Sequence, residues 1–155
     1  MKALLQRVRN ASVEVDGEVV SSIGAGMLVF LGIGKGDSEE AGRKLAEKIV
    51  ELRIFPDEKH SMNRSLKDIG GELLLVSQFT LQADCRRGRR PSFVDAEDPA
   101  RAEELYRGFG ENLRSSGIEV GEGVFGAHMN IQLDNDGPVT ILLDSGSLSR
   151  SGGSD

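Results

Sequence analysis

The sequence predicts an α+β domain: a mainly antiparallel sheet or partial barrel with two main helices packed on it. Three observations lead there. Apolar runs of strand length outnumber helical patterns. Most of these runs follow one another through tight turn signals, not through intervening helices. Only two stretches carry apolar residues at the spacing of one helix face. A chain of 155 residues is long enough to bury one core of this kind.

Taken in order, residues 3–15 mix strand formers with Arg7 and Arg9, and Asp16-Gly17 then signals a hairpin into Glu18-Val19-Val20. Residues 27–33 form a continuous apolar run bounded by Gly24, Gly26 and Gly34, which reads as a buried strand. Asp37-Ser38-Glu39-Glu40 resembles a capping box and starts the first helix. Leu45, Ile49 and Leu52 are its apolar face, with Glu39/Arg43 and Glu40/Lys44 as i,i+4 pairs on the wet side. Arg53-Ile54-Phe55 reads as a brief strand. Residues 71–81 read as a buried strand whose end carries Ser77, Gln78 and Thr80. The second helix begins near Asp98-Pro99, buries Ala102, Leu105, Phe109 and Leu113, and stops at Gly117. Residues 128–134 alternate, with Met129, Ile131 and Leu133 inward. Asn135 to Pro138 is expected to turn the chain, and residues 139–143 to return as the last strand. The domain is expected to span residues 1–145, followed by a flexible Ser/Gly-rich tail, 146–155.

Composition narrows the function. A net charge of −6 argues against general coating of nucleic acid, although it leaves room for a local basic patch. One cysteine, Cys85, cannot form an intrachain disulfide and fits a reducing, cytoplasmic setting. The first ten residues lack the apolar core of a signal peptide, and no apolar run reaches the ~18 residues that span a bilayer. His60 and His128 lie beside no nucleophile signature, and no Cys/His/carboxylate spacing suggests a metal. The expectation is therefore no metal, no cofactor and no membrane partner. Gly32-Ile33-Gly34-Lys35-Gly36 lacks the spacing of a nucleotide-binding loop and reads as a turn into the helix. Cys85 reads as incidental, although Arg86 beside it could lower its thiol pKa.

Three features stand out. Burying an unpartnered hydroxyl or amide costs roughly 1–3 kcal/mol. The polar end of the residue 71–81 strand therefore either satisfies itself internally or faces a ligand. Alternation along that strand would put Ser77 with Phe79 on one face and Gln78 with Thr80 on the other. Arg86, Arg87, Arg89 and Arg90, hinged at Gly88, suit phosphate oxygens, and equally suit a solvated basic loop that offsets nearby acids. Asp136-Gly137-Pro138-Val139-Thr140 reads as an ordinary turn, or as a rigid carbonyl held toward a ligand ammonium if the Gly-Pro bond is cis.

Ser77-Gln78-Phe79-Thr80-Leu81 and Asn135-Asp136-Gly137-Pro138-Val139-Thr140 together resemble the two signature motifs of the D-aminoacyl-tRNA deacylases. The resemblance extends from Leu5-Gln6-Arg7-Val8 through Arg89-Arg90-Pro91-Ser92-Phe93 to Leu143-Asp144-Ser145. It implies a three-layer β-β-α fold and a homodimer in which the Gly-Pro motif of one subunit enters the site of the other. It also implies hydrolysis of the ester of D-aminoacyl-tRNA, and of wrongly charged glycyl-tRNA, as proofreading of translation. The implied catalytic group is Ser77, Gln78, Phe79 and Thr80. Gly137, Pro138, Val139 and Thr140 would bind substrate and select its chirality, the Gly137 carbonyl accepting from the ammonium while the motif rejects an L side chain. Phe79 would stack on the terminal adenine or pack in the core, and Arg86, Arg87, Arg89 and Arg90 would hold tRNA phosphates. Two routes are compatible with these residues: backbone N–H groups stabilise the oxyanion while the tRNA 2′-OH activates water, or Thr80 attacks the ester. A third reading keeps the fold as a non-catalytic tRNA-binding module.

Overall fold

The computed structural model describes residues 1–148. In chain order these form β1 (Lys2–Val15), β2 (Glu18–Ile23), β3 (Gly26–Gly32), α1 (Glu39–Glu51), α2 (Leu66–Ile69) and β4 (Glu72–Ser77). A 3-10 turn (Phe79–Gln82), α3 (Pro99–Ser115), β5 (Glu119–Glu122), β6 (Asn130–Asp144) and α4 (Ser145–Leu148) follow. The remainder of the expected tail, 149–155, lies outside the described residues.

The strands form one mixed sheet in the order β2-β1-β3-β4-β5, with β6 along the other edge of β1. β1 pairs antiparallel with β2, β3 and β6. The pairs β3–β4 and β4–β5 are parallel, joined by crossovers through α1 and α3. Hairpin connection therefore describes the first three strands and not the next two. β5 was hidden in the sequence because its four residues, Glu-Val-Gly-Glu, carry no apolar run. The sheet curls until β2 and β5 meet: a Cβ on Gly121 would lie 2.4 Å from Ser21 Oγ.

Side-chain alternation builds the three layers. Ala3, Leu5, Met27, Val29, Leu31, Leu73 and Leu75 point to one face and pack against Leu45, Ile49, Leu105, Phe109 and Leu113 of the two helices. Leu28, Leu74 and Val76 point to the other face and meet Val8, Ala11, Val13 and Ile23. Each fully buried Leu contributes roughly 1.5–3 kcal/mol over its exposed state. β1 and β6 take part in both cores. Val139, Ile141 and Leu143 of β6 face the helices, whereas Met129, Ile131 and Leu133 face the second core. A strand changes layers through a bulge, and the register of β6 on β1 breaks between Gln6 and Val8, and again before Ala11.

Four local expectations change. The strand over residues 71–81 stops at Ser77, and residues 79–82 coil into a 3-10 turn, so Ser77 and Phe79 do not share a strand face. Arg53–Phe55 is no strand; Phe55 makes an isolated bridge to Arg64. The residues around Gly137 do not reverse the chain, because β1 is long enough to pair with β6 on both sides of them. At α1, Ser38 Oγ accepts from Ala41 N at 3.1 Å, a single cap without the reciprocal bond of a box. That box occurs instead at α2, between Ser65 and Asp68. α3 starts and stops where expected, with Pro99 in its first turn and Gly117 at φ +84°.

Candidate active site

β4 delivers its end to an open cavity of about 640 Å³. Buried Leu73–Val76 anchor the strand, and Gln78 N–H donates to Leu31 O at 2.8 Å, the last tie to β3. The chain then turns tightly, because Gly32 leaves room beneath it: a Cβ there would lie 2.9 Å from Gln78 O and from Leu81 Cβ. Gln82 Nε2 donates to Gly32 O at 2.9 Å and fastens the turn from its far end. Gln82, a supporting residue that motif reading missed, is recognisable only once the turn is seen.

Ser77, Gln78 and Phe79 line the cavity together with Phe93, Phe125 and Met129, whereas Thr80 is not among its lining residues. Phe79 is 58% exposed, which decides between core packing and presentation in favour of presentation. Its ring meets Phe93 edge to face, with centroids 5.0 Å apart. Gln78 Nε2 donates to Thr80 Oγ1. An amide donor does not take a proton from a hydroxyl, and among the described residues no carboxylate or imidazole bonds to Thr80. The first bond inside the turn runs from Leu81 N–H to Gln78 O at 3.2 Å. The N–H groups of Phe79 and Thr80 precede it and have no backbone acceptor, as at the start of any helical turn.

The arginine loop is a short hairpin closed by reciprocal Asp84–Ser92 backbone bonds of 2.8 and 2.9 Å. Arg86 folds back on its own stem: its guanidinium lies 2.7 Å from Asp84 Oδ2 and, with the Arg86 N–H, pulls that carboxyl down to a pKa of about 2. Arg87, Arg89 and Arg90 remain exposed.

The second motif sits elsewhere. Residues 136–139 bulge out opposite Arg7, and the Gly137-Pro138 bond is cis. Arg7, only 12% exposed at its side chain, donates to Asp136 O at 3.1 Å and to Ile54 O at 2.7 Å. Asn135 Nδ2 donates to Arg7 O and Val139 O, both at 3.0 Å. Gly137 and Pro138 face solvent, Thr140 accepts from Gln6 Nε2 at 3.3 Å, and Val139 is buried. No residue of this motif lines the cavity. Gly32, under the first motif, pairs with Lys2, five residues from Arg7 along β1, which is roughly 16 Å at ~3.3 Å per residue. One chain therefore does not bring the two motifs together.

A larger cleft of about 1030 Å³ lies between α1 and α3. Its rim is already ion-paired, Arg43 with Glu40 at 2.6 Å and Arg101 with Glu104 at 2.9 Å, and no motif residue reaches it. Among the described residues no group of three or more His, Cys, Asp or Glu could hold a metal ion.

The family model of the D-Tyr-tRNA(Tyr) deacylases matches residues 4–144, which includes both motifs. The chain belongs to this family. It is 59% identical over 145 residues to a D-aminoacyl-tRNA deacylase of Roseiflexus castenholzii, covering 94% of this chain and 92% of that protein. Among solved structures, a c-Myc DNA unwinding element binding protein superimposes with a TM-score of 0.87 at 42% identity, covering 93% of this chain and 98% of its own. A probable eukaryotic D-amino acid tRNA deacylase shares the fold at 18% identity, with a TM-score of 0.79 and coverage of 92% and 97%. The match thus spans both motifs and the β-β-α arrangement that carries them.

Proposed function

We propose that this protein hydrolyses the ester of D-aminoacyl-tRNA, releasing free tRNA and a D-amino acid. The observation that carries the reading is the turn at Ser77–Thr80. It puts the unbonded N–H and the exposed ring of Phe79 at the mouth of one cavity, with the unbonded N–H of Thr80 one residue further along the turn. Water adds to the ester carbonyl carbon, and the oxygen of the resulting tetrahedral centre is met by the N–H groups of Phe79 and Thr80. As the water proton passes to the neighbouring ribose 2′-oxygen, the 2′-hydroxyl hands its own proton to the 3′-oxygen, which leaves as the free 3′-hydroxyl when the ester bond breaks. Phe79 stacks on the terminal adenine, while Ser77 and Gln78 orient the ester. The Thr80 hydroxyl serves as a bonded neighbour of Gln78, because the attacking role needs a base it does not have. Arg87, Arg89 and Arg90 contact backbone phosphates. Arg86 contributes less, being committed to Asp84.

Chirality is read by Gly137-Pro138, whose carbonyl accepts from the substrate ammonium and whose backbone blocks an L side chain. Glycine has no side chain to block and is accepted on the same geometry. This requires a second copy, since one chain keeps the motifs apart. Leu4, Phe30 and Leu142 lie in register across the sheet between the two motifs and point away from the helical core. Leu142 is 58% exposed. A two-fold axis through this apolar stripe sets each Gly137-Pro138 against the other copy's Ser77–Thr80, as isologous contact requires. No helix among the described residues is long and apolar enough to cross a membrane. Proofreading of charged tRNA places the work in the cytoplasm.

The deciding experiment is hydrolysis of matched D- and L-tyrosyl-tRNA, with glycyl-tRNA beside them. Loss of the D ester and of the glycyl ester with the L ester intact is expected. Cleavage of none would leave a tRNA-binding module. Equal cleavage of D and L would remove the role of Gly137-Pro138.

A further inference from the structure

We infer that Phe93 is a second stacking platform, which takes the nucleotide preceding the terminal adenosine of the single-stranded tRNA end. The inference rests on the reading above and extends it by one nucleotide. Phe93 and Val94 are 37% and 63% exposed, unusual for large apolar residues side by side. Their backbone is nevertheless held on both sides. Ser92 is locked to Asp84, Lys35 N–H donates to Asp95 O at 2.9 Å, and Glu97 N–H donates to Ile33 O at 3.0 Å. Ala96 N–H closes the segment onto Phe93 O at 3.1 Å. A fixed backbone thus presents an aromatic side chain to solvent at the cavity mouth.

Its surroundings identify the occupant. On one side Phe93 touches Phe79, which faces the terminal adenine. On the other it continues directly into the hairpin that carries Arg87, Arg89 and Arg90. Aromatic faces beside free guanidinium groups are the components of single-strand recognition, in which bases stack and phosphates pair. The rings of Phe79 and Phe93 are inclined by 70°. Two bases lying on them cannot remain stacked on each other. The terminal adenosine is therefore splayed out of the helical stack of the acceptor end, which frees its ester for attack. Unstacked ends of this kind are what proteins read in RNA.

The test compares three esters of D-tyrosine: the full tRNA, the trinucleotide CCA, and adenosine alone. Phe93→Leu keeps the apolar volume and removes the π face. It is expected to lower kcat/KM about tenfold on the tRNA and on the trinucleotide, and to leave the adenosine ester unchanged. Phe93→Tyr is expected to restore the wild-type values. Equal loss on all three esters would mean that Phe93 merely supports Phe79, and no loss on any would leave it a surface residue; either overturns the inference. So would a change in sedimentation of the variant, which would assign the patch to subunit contact. Wild-type protein inactive on all three esters would overturn the deacylase reading itself.

Discussion

Thr80 is the residue on which the two chemical routes part. Its hydroxyl accepts a hydrogen bond from the Gln78 amide, and among the described residues no base bonds to it. Replacing it with Ala removes one hydrogen bond and leaves the backbone N–H groups in place. Thr80→Ala is therefore expected to keep at least about a tenth of wild-type kcat, since a lost neutral hydrogen bond is worth about 1 kcal/mol. Single-turnover hydrolysis of D-tyrosyl-tRNA checks this, and complete loss would restore Thr80 as nucleophile. Tyr106 offers a second test, because it is the only tyrosine and there is no tryptophan. Its hydroxyl donates to Leu75 O at 3.0 Å beneath α3. Burial, and then the nearby Glu122 carboxylate, push the phenol well above its ordinary value of 10. The folded state thus prefers the neutral phenol. Its contribution to stability is full below pH 10 and falls as pH rises further, because only the unfolded chain then gives up the proton. Ultraviolet titration should show no tyrosinate near pH 10 while circular dichroism still reports the fold. Free ionisation there would contradict the packing of α3 on β4.

At the scale of elements, β3 and β4 are the pair that aims the site, and glycine sets their approach. A Cβ on Gly26 would lie 1.8 Å from the backbone oxygen of Glu72, which cannot swing aside. Gly108 of α3 has open space around its missing Cβ. Gly26→Ala is expected to cost at least about 2 kcal/mol through overpacking, and Gly108→Ala to gain up to about 1 kcal/mol through helix propensity. Chemical denaturation of the two variants checks both signs. The β4 end was legible in the sequence as a polar break after an apolar run, but its shape was not. Whether Phe79 continues a strand or enters a turn depends on Gly32, which lies on the neighbouring strand, and on the bond that Gln82 makes to it from the end of the turn. The Gly137 segment reads locally as a reversal, and runs on as a strand, for a related reason. Asn, Asp, Gly and Pro mark turns locally, but β1 supplies partners on both sides of the bulge and holds the strand to one course.

For the whole molecule the separation of the two motifs is decisive. On the proposed reading a monomer would carry the cavity without Gly137-Pro138, so assembly and activity should fail together. Leu142→Glu places a charge on the exposed stripe while touching neither motif nor core. It is expected to yield a folded monomer with at least about a hundredfold lower activity on D-tyrosyl-tRNA. Sedimentation equilibrium and hydrolysis, measured on the same sample, check it. A fully active monomer would show that Gly137-Pro138 acts within its own chain or not at all. The net charge of −6 belongs to this scale too. A negative net charge disfavours indiscriminate nucleic-acid binding, and on the proposed reading Arg87, Arg89 and Arg90 would supply the local attraction for one stretch of backbone.

By itself the sequence determined the class of fold, the two helices with their buried faces, the alternation that lines the cores, and the motifs that carry the family resemblance. These are local or periodic properties, written in neighbouring residues. Only the tertiary structure decided that the sheet is mixed, that Ser77 ends a strand, that Arg86 is spent on Asp84, and that the two motifs lie apart. Each of these depends on which distant segment supplies a hydrogen bond, a glycine gap or a counter-charge. Spacing along the chain does not encode that choice; close packing makes it.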